Sequence, residues 1–169
     1  MKQLNPERHV ITAAMKRGID MESHASMVYA QNARKNGVNL FPSGIILHPK
    51  CPWLGCSPDR KVYDLEVAHN GQNPFGLLEI KVVQEGTDNF DKVQYLQRDA
   101  DSGVFHLKQN HIYFLQIQCQ LGLTGLDWCD FFSYINDNTF FSERIIFNKT
   151  VFQEAKDKVD KFFFNYYLQ

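Results

Sequence analysis

Residues 76–83 have the sequence GLLEIKVV, which predicts a central strand with two charged side chains. Successive side chains of a β-strand point to opposite faces, so Leu78, Ile80 and Val82 share one face while Glu79 and Lys81 share the other. A strand buried in a sheet is expected to be apolar almost throughout. An acid and a base two residues apart in such a run therefore indicate either an ion pair at a sheet edge or a site where buried charges are paired or metal-bound.

A second acidic residue begins the preceding predicted strand. Residues 56–60 have the sequence CSPDR, in which Pro58 disfavours a helix. The turn-rich segment 70–74 joins the predicted strands 60–67 and 75–83, so an antiparallel pair can bring Asp59 into contact with Glu79. Two close carboxylates repel each other unless they share a proton or a divalent cation. The alternative for Asp59 is an ordinary Asp-containing turn.

Helical and strand patterns alternate along the rest of the chain. We expect a helix from Asn5-Pro6 to near Gly18, and a second from Asp20 to before Gly37. Further expectations are a strand at 44–48, an irregular segment at 84–110, a helix at 110–123, strands at 128–135 and 140–147, and a helix at 151–167. This order predicts one α/β domain over 1–169, with a helical part at about 5–36 and a core at about 40–169, built on a mixed, mostly antiparallel sheet flanked by helices.

Composition narrows the class of protein. The 169 residues are 44% apolar and 14% aromatic, enough for a packed core. Neither a membrane-spanning run nor a secretory signal is evident, so we expect an intracellular protein, of the cytoplasm or nucleus, with a viral or mobile-element origin compatible. The four cysteines have no C-x-x-C spacing and are expected to be reduced thiols, without an iron–sulfur cluster.

Two predicted helices add polar side chains to this picture. Glu22 lies early in the second helix, where it either faces a polar site or simply favours the positive helix end. Tyr113, Gln116 and Gln120 share one face of the helix at 110–123. Because that segment is otherwise apolar, Gln116 is as well suited to a polar site as to solvent.

Four motifs occur in order: Gly18-x-x-x-Glu22, PWLGCSPD at 52–59, LEIK at 78–81, and Tyr113-x-x-Gln116-x-Gln118. This ordered set resembles the YqaJ-type viral recombinases, a lambda-exonuclease-like family of the PD-(D/E)XK nuclease superfamily. The resemblance runs from about residue 12 to the last helix. It implies a restriction-endonuclease-like core and a Mg²⁺-dependent exonuclease, with Mn²⁺ as a substitute, that degrades one strand of duplex DNA from an end, 5′ to 3′, leaving single strand for recombination.

The resemblance also implies roles for individual residues. Asp59, Glu79 and the Ile80 carbonyl would hold the metal, and Glu22 would help hold metal or water from its helix. Lys81 would position or activate the attacking water, and Gln116 would orient Lys81 or a phosphate. The candidate DNA contacts are Ser57, Arg60, Tyr113, Arg17 and Arg8. Arg60 stands where many relatives have glycine, so it either binds phosphate or crowds the site.

The resemblance leaves three activities open and suggests partners. The same site fits an exonuclease, an endonuclease or single-strand nuclease, and a catalytically weak DNA-binding module. Double-stranded DNA ends are the implied substrate, and a single-strand annealing protein and a homotrimer are the implied partners, with no membrane involved.

The charge balance sets a condition on DNA binding. A net charge of −1 argues against coating nucleic acid by bulk charge. Residues 1–17, however, carry four basic side chains against one acidic. One bound Mg²⁺ would bring the chain to +1 and two to +3, since the ion's charge counts in the balance. We therefore expect weak DNA binding without metal and dependence on the basic N-terminal patch.

Overall fold

The computed structural model describes residues 12–168, and a five-stranded sheet is the centre of this part of the chain. Its strands are β1 (Val38–Pro42), β4 (Arg60–Asp64), β5 (Phe75–Val82), β8 (Trp128–Asn136) and β9 (Thr139–Ile146), paired in the order β1-β4-β5-β8-β9. β5 and β8 run parallel, and the other neighbours are antiparallel. The predicted α/β fold with a mixed, mostly antiparallel sheet is confirmed.

Four α-helices flank the sheet in the described range: α1 (Ala13–Val28), α2 (Leu65–His69), α3 (Ile112–Thr124) and α4 (Lys149–Phe162). Alternate side chains of β5 enter two separate cores. Leu78 and Ile80 pack in one core with Val28 of α1, whereas Leu77 packs in the other with Ile117 of α3. Glu79 and Lys81 follow the alternation of Leu77, so both lie on the α3 side of the sheet.

A single helix replaces the two predicted at the N-terminal end. The Thr12 side chain accepts a hydrogen bond from the Met15 N–H and caps α1, which passes through Gly18 and continues as a π-helical turn over Tyr29–Ala33. The predicted break at Gly18 is wrong, because one glycine costs a helix only about 1 kcal/mol and does not end it. The predicted start at Asn5-Pro6 lies outside the described residues.

β4 is shorter than the predicted strand at 60–67, because Asp64 ends it. The Asp64 side chain accepts hydrogen bonds from the Glu66 and Val67 N–H groups and so caps the short helix α2. The antiparallel pairing of β4 with β5 across the 70–74 turn is confirmed, with Arg60 opposite Leu78.

Short hairpins account for most of the remaining differences. β2 (Ile46–His48) matches the predicted strand at 44–48 and pairs with β3 (Cys51–Cys56), which was not predicted. The segment at 84–110, expected to be irregular, contains a second hairpin formed by β6 (Leu96–Arg98) and β7 (Phe105–Leu107). The unpredicted β1 forms one edge of the central sheet. Strands this short leave little periodicity in a sequence.

The C-terminal half of the described chain follows the predictions closely. α3, β8 and β9 lie within two residues of their expected bounds. α4 begins earlier than the predicted helix because the Asn148 side chain caps it, accepting from the Thr150 and Val151 N–H groups. The last turn, Phe163–Tyr167, is π-helical. No helix in the described range has the length and apolar character to cross a membrane.

Candidate active site

Asp59 and Glu79 come together where β4 begins beside β5. Pairing of Arg60 with Leu78 places Asp59 next to the middle of β5. The Asp59 carboxylate oxygen Oδ2 accepts a hydrogen bond of 2.6 Å from the Ile80 N–H. The two carboxylates predicted to meet are therefore adjacent, with the Ile80 backbone between them.

Asp59 is a carboxyl in an environment that disfavours its charge. Burial is the largest cause, followed by the negative charge of Glu79, and together they raise the pKa of Asp59 from 3.8 to about 7. The Ile80 N–H acts in the opposite direction, and the Glu22 charge raises the pKa further. A bound cation would relieve this repulsion.

The Ile80 carbonyl lies at the same edge of β5 as Asp59. The N–H and C=O of one strand residue point to the same side, and the Ile80 N–H points to Asp59. Continuing the β4–β5 register by two residues would place Pro58 opposite Ile80. Proline has no N–H to donate, so the Ile80 carbonyl has no ladder donor from this side.

Glu79 accepts more hydrogen bonds than the other acids of the site. It is 2% exposed and accepts hydrogen bonds from Lys81 Nζ and from Gln116 Nε2 (2.7 Å), both on Oε1. Gln120 Nε2 donates to Oε2 at 2.8 Å. Gln116 thus donates to Glu79, whereas the role expected for it is to orient Lys81 or a phosphate.

Gln120 completes this set of donors, although the site predicted from sequence omitted it. The sequence does contain a pattern that indicates Gln120, because Gln116 and Gln120 are four residues apart on one face of an otherwise apolar helix. Gln118, which belongs to the motif, has a different role. It is buried and bridges the Ile146 carbonyl and the Asn148 N–H, which ties α3 to the end of β9 and the start of α4.

Lys81 rests on an aromatic ring. Its Nζ lies 4.5 Å from the centroid of Tyr113, and the Tyr95 ring packs edge-on against Tyr113 at 5.1 Å. A cation over an aromatic face is attracted to the ring. Tyr113, predicted to contact DNA, thus lies beneath Lys81 and supports it.

Glu22 and Arg60 are bound to each other. Arg60 Nη1 donates to Glu22 Oε1 at 2.6 Å and to the Asp59 backbone carbonyl at 2.5 Å. Glu22, for which the sequence predicts a role in holding metal or water, thus forms a salt bridge with Arg60. Across residues 12–168, no three His, Cys, Asp or Glu side chains cluster closely enough to enclose a metal ion.

The remaining predicted DNA contacts lie at the periphery. Ser57 is exposed on the segment before Asp59. Arg17 Nε donates to the Val83 carbonyl at 3.3 Å, which brings α1 against the chain just after Lys81. Arg8 lies outside the described residues.

Two side-chain carboxylates and a backbone carbonyl are the oxygen donors that Mg²⁺ prefers, and the cation's other positions are normally filled by water. Burial and the charge of Glu79 both raise the pKa of Asp59, so a cation at this position would stabilise its ionised form. These residues therefore fit a hard divalent cation. A hard cation prefers these oxygen ligands to the nearby Cys56 thiol, whose pKa burial raises to about 11 in the metal-free protein.

Comparison with known proteins identifies the family of this chain and solved structures of similar fold. The model of the YqaJ-like viral recombinase domain matches residues 1–127. The crystal structure of an alkaline exonuclease (LHK-Exo) from Laribacter hongkongensis is 30% identical, with a TM-score of 0.68 over 93% of this chain and 70% of that chain. The structure of LHK-Exo in complex with dAMP is 28% identical, with a TM-score of 0.70 over 97% and 73%. No curated protein matches the chain. The chain belongs to the YqaJ-like viral recombinase domain family.

Proposed function

We propose that this protein is a Mg²⁺-dependent exonuclease that hydrolyses phosphodiester bonds from the ends of double-stranded DNA. The family and the similarity to alkaline exonuclease structures support a nuclease. One observation carries the assignment of the site: two carboxylates, a lysine and the strand edge that bears the Ile80 carbonyl meet at the β4–β5 junction.

Asp59, Glu79 and the Ile80 carbonyl are the residues that would hold the metal. When bound, Mg²⁺ supplies a Lewis acid that polarises phosphate oxygens and lowers the pKa of bound water. Lys81 provides a positive charge held between Glu79 and the Tyr113 ring. A charge fixed in this way stabilises negative charge that develops on a phosphate, without needing to reorganise during the reaction.

Cleavage of end-labelled linear duplex tests the proposal. We expect progressive shortening with Mg²⁺ or Mn²⁺ and none with EDTA. Asp59→Asn and Glu79→Gln should each lose most of the activity, because they remove the carboxylate charge while preserving shape. Glu143→Gln is the matched control. Glu143 is a partly buried acid of β9, away from the β4–β5 junction, and it accepts a hydrogen bond from the Leu107 N–H.

A covalently closed circular duplex separates the exonuclease from the other activities of the same site. An exonuclease leaves it intact, whereas an endonuclease opens it. Cleavage of the circle at the rate of the linear duplex would contradict the proposal. So would unaltered cleavage by the two acid variants.

We further propose 5′-to-3′ polarity and a role in producing single strand for recombination, both on the strength of the family resemblance. Duplexes labelled at one 5′ or one 3′ end, with and without a 5′ phosphate, test the polarity. Early release of 5′-terminal mononucleotide is the expected result. Early release from the 3′ end would reverse the assignment.

A further inference from the structure

Two glutamines of α3 divide the oxygens of Glu79 between them. Gln116 donates to Oε1 at 2.7 Å, and Gln120, one helical turn later, donates to Oε2 at 2.8 Å. Both amides approach from the same helix face, so α3 fixes the plane of the carboxylate as well as its position.

The number of acceptor sites on each oxygen shows which one remains open. A carboxylate has about two lone-pair sites on each oxygen. Among the described residues, Oε1 receives two donors, Lys81 and Gln116, and is filled. Oε2 receives Gln120 alone. One lone pair of Oε2 is therefore the part of Glu79 left for a cation, and Gln120 occupies the other.

The orientation of the Gln120 amide is set by Glu79 and not by the surrounding fold. Gln120 is 2% exposed, and within the described part of the chain its Oε1 is buried without a hydrogen-bond donor. Rotating the amide by half a turn would place that oxygen against the Glu79 carboxylate. An unpaired buried carbonyl is unfavourable, so this side chain is held in a costly arrangement by its bond to Oε2.

We propose that Gln120 is a positioning residue that aims the free lone pair of Glu79 Oε2 toward the cation, and that it thereby sets metal affinity. This inference rests on the proposed metal-dependent function. Groups that hold metal ligands from behind typically change metal affinity or activity by 10–100-fold when they are removed.

Gln120→Met tests the inference, because methionine has a similar length and no hydrogen-bonding group. Gln118→Met is the matched control, since Gln118 is equally buried on the same helix but its hydrogen bonds within the described residues involve only backbone groups. We expect calorimetric titration with Mn²⁺ to show roughly 10–100-fold weaker binding by the Gln120 variant. The Gln118 variant should lower the melting temperature and keep Mn²⁺ affinity within about twofold of the parent.

Gln120→Asn is the second variant, and it decides the test if the methionine variant does not fold. It keeps the amide but withdraws it by one methylene, and it should show the same loss of affinity. In both variants the Mg²⁺ concentration for half-maximal cleavage should rise while KM for DNA stays constant.

Three results would overturn the inference. If the parent binds Mn²⁺ and cleaves DNA while the Gln120 variants bind it equally well, the inference fails and the proposed function stands. If the Gln118 variant loses as much affinity, a general disturbance of α3 is the cause. If the parent neither binds Mn²⁺ nor cleaves DNA, both the inference and the proposed function are wrong.

Discussion

Asp59→Asn should stabilise the metal-free protein at neutral and alkaline pH. The side chain keeps an oxygen that accepts from the Ile80 N–H, while the charge repelled by Glu79 and Glu22 disappears. The variant therefore measures the free-energy cost of the Asp59 charge. A variant that only lost contacts would be less stable than the parent.

The magnitude follows from the pKa of Asp59. A rise from 3.8 to about 7 corresponds to about 4 kcal/mol, and solvent at the partly exposed carboxyl reduces this to an expected 2–4 kcal/mol. Well below pH 3.8 the carboxyl is protonated in both the folded and unfolded states and imposes no cost. As pH rises toward 7, the unfolded chain ionises first, so the parent loses stability relative to the variant.

Thermal unfolding in EDTA from about pH 4.5 to 8.5 measures this difference. For a chain of this size, 2–4 kcal/mol corresponds to roughly 5–15 °C in Tm. The variant should melt higher at pH 8, and the difference should shrink to about a quarter of this at pH 4.5. Adding Mg²⁺ should raise the Tm of the parent more than that of the variant, because only the parent keeps the full ligand set.

Asp137→Asn is the control with the opposite sign. Hydrogen bonds from Tyr134 and His24 lower the pKa of Asp137, so its charge contributes stability that is lost as pH falls. That variant should be no more stable than the parent at pH 8. If the Asp59 variant shows the same Tm difference at both ends of the pH range, or melts below the parent at pH 8, the electrostatic argument is refuted.

Three further predictions concern neighbouring residues. Arg60→Gly removes a positive charge beside the site, so Mn²⁺ affinity measured by calorimetry should rise, by up to about fivefold for about 1 kcal/mol; weaker Mn²⁺ binding would contradict this. Tyr113→Leu removes the ring beneath Lys81 and with it a cation–ring attraction of about 0.5–1 kcal/mol, so kcat should fall about two- to fivefold. Tyr113→Phe keeps the ring and should keep the parent kcat. Gly76→Ala would place a methyl group into the Trp128 ring, and a chemical denaturation curve should show about 1–3 kcal/mol of lost stability; unchanged stability would mean that the ring can move aside.

Much of the site was accessible from local sequence because it depends on periodicity. Alternation along 76–83 places Glu79 and Lys81 on one face, and spacing along α3 places Gln116 and Gln120 on another. The turn at 70–74 determines that the two strands are antiparallel neighbours. These relations involve short stretches of chain, where backbone geometry alone decides which side chains meet.

Other features depended on contacts between distant segments. Arg60 is a plausible phosphate contact from its sequence position, yet it pairs with Glu22, 38 residues away. Gln118 and Gln120 are both buried glutamines two residues apart, and only tertiary packing directs one to backbone groups and the other to Glu79. No local pattern distinguishes their roles.

The sequence alone predicts the fold class, the pair of strands that carries the acids, and Asp59, Glu79 and Lys81 as candidate site residues, but it does not single out Gln120. Tertiary structure decided that β5 runs parallel to β8, that α1 passes through Gly18, and which donor each oxygen of Glu79 receives. Backbone periodicity determines secondary structure and the side of a strand or helix on which each side chain lies. The partner of a charged side chain depends instead on which distant groups are brought within hydrogen-bond distance by packing.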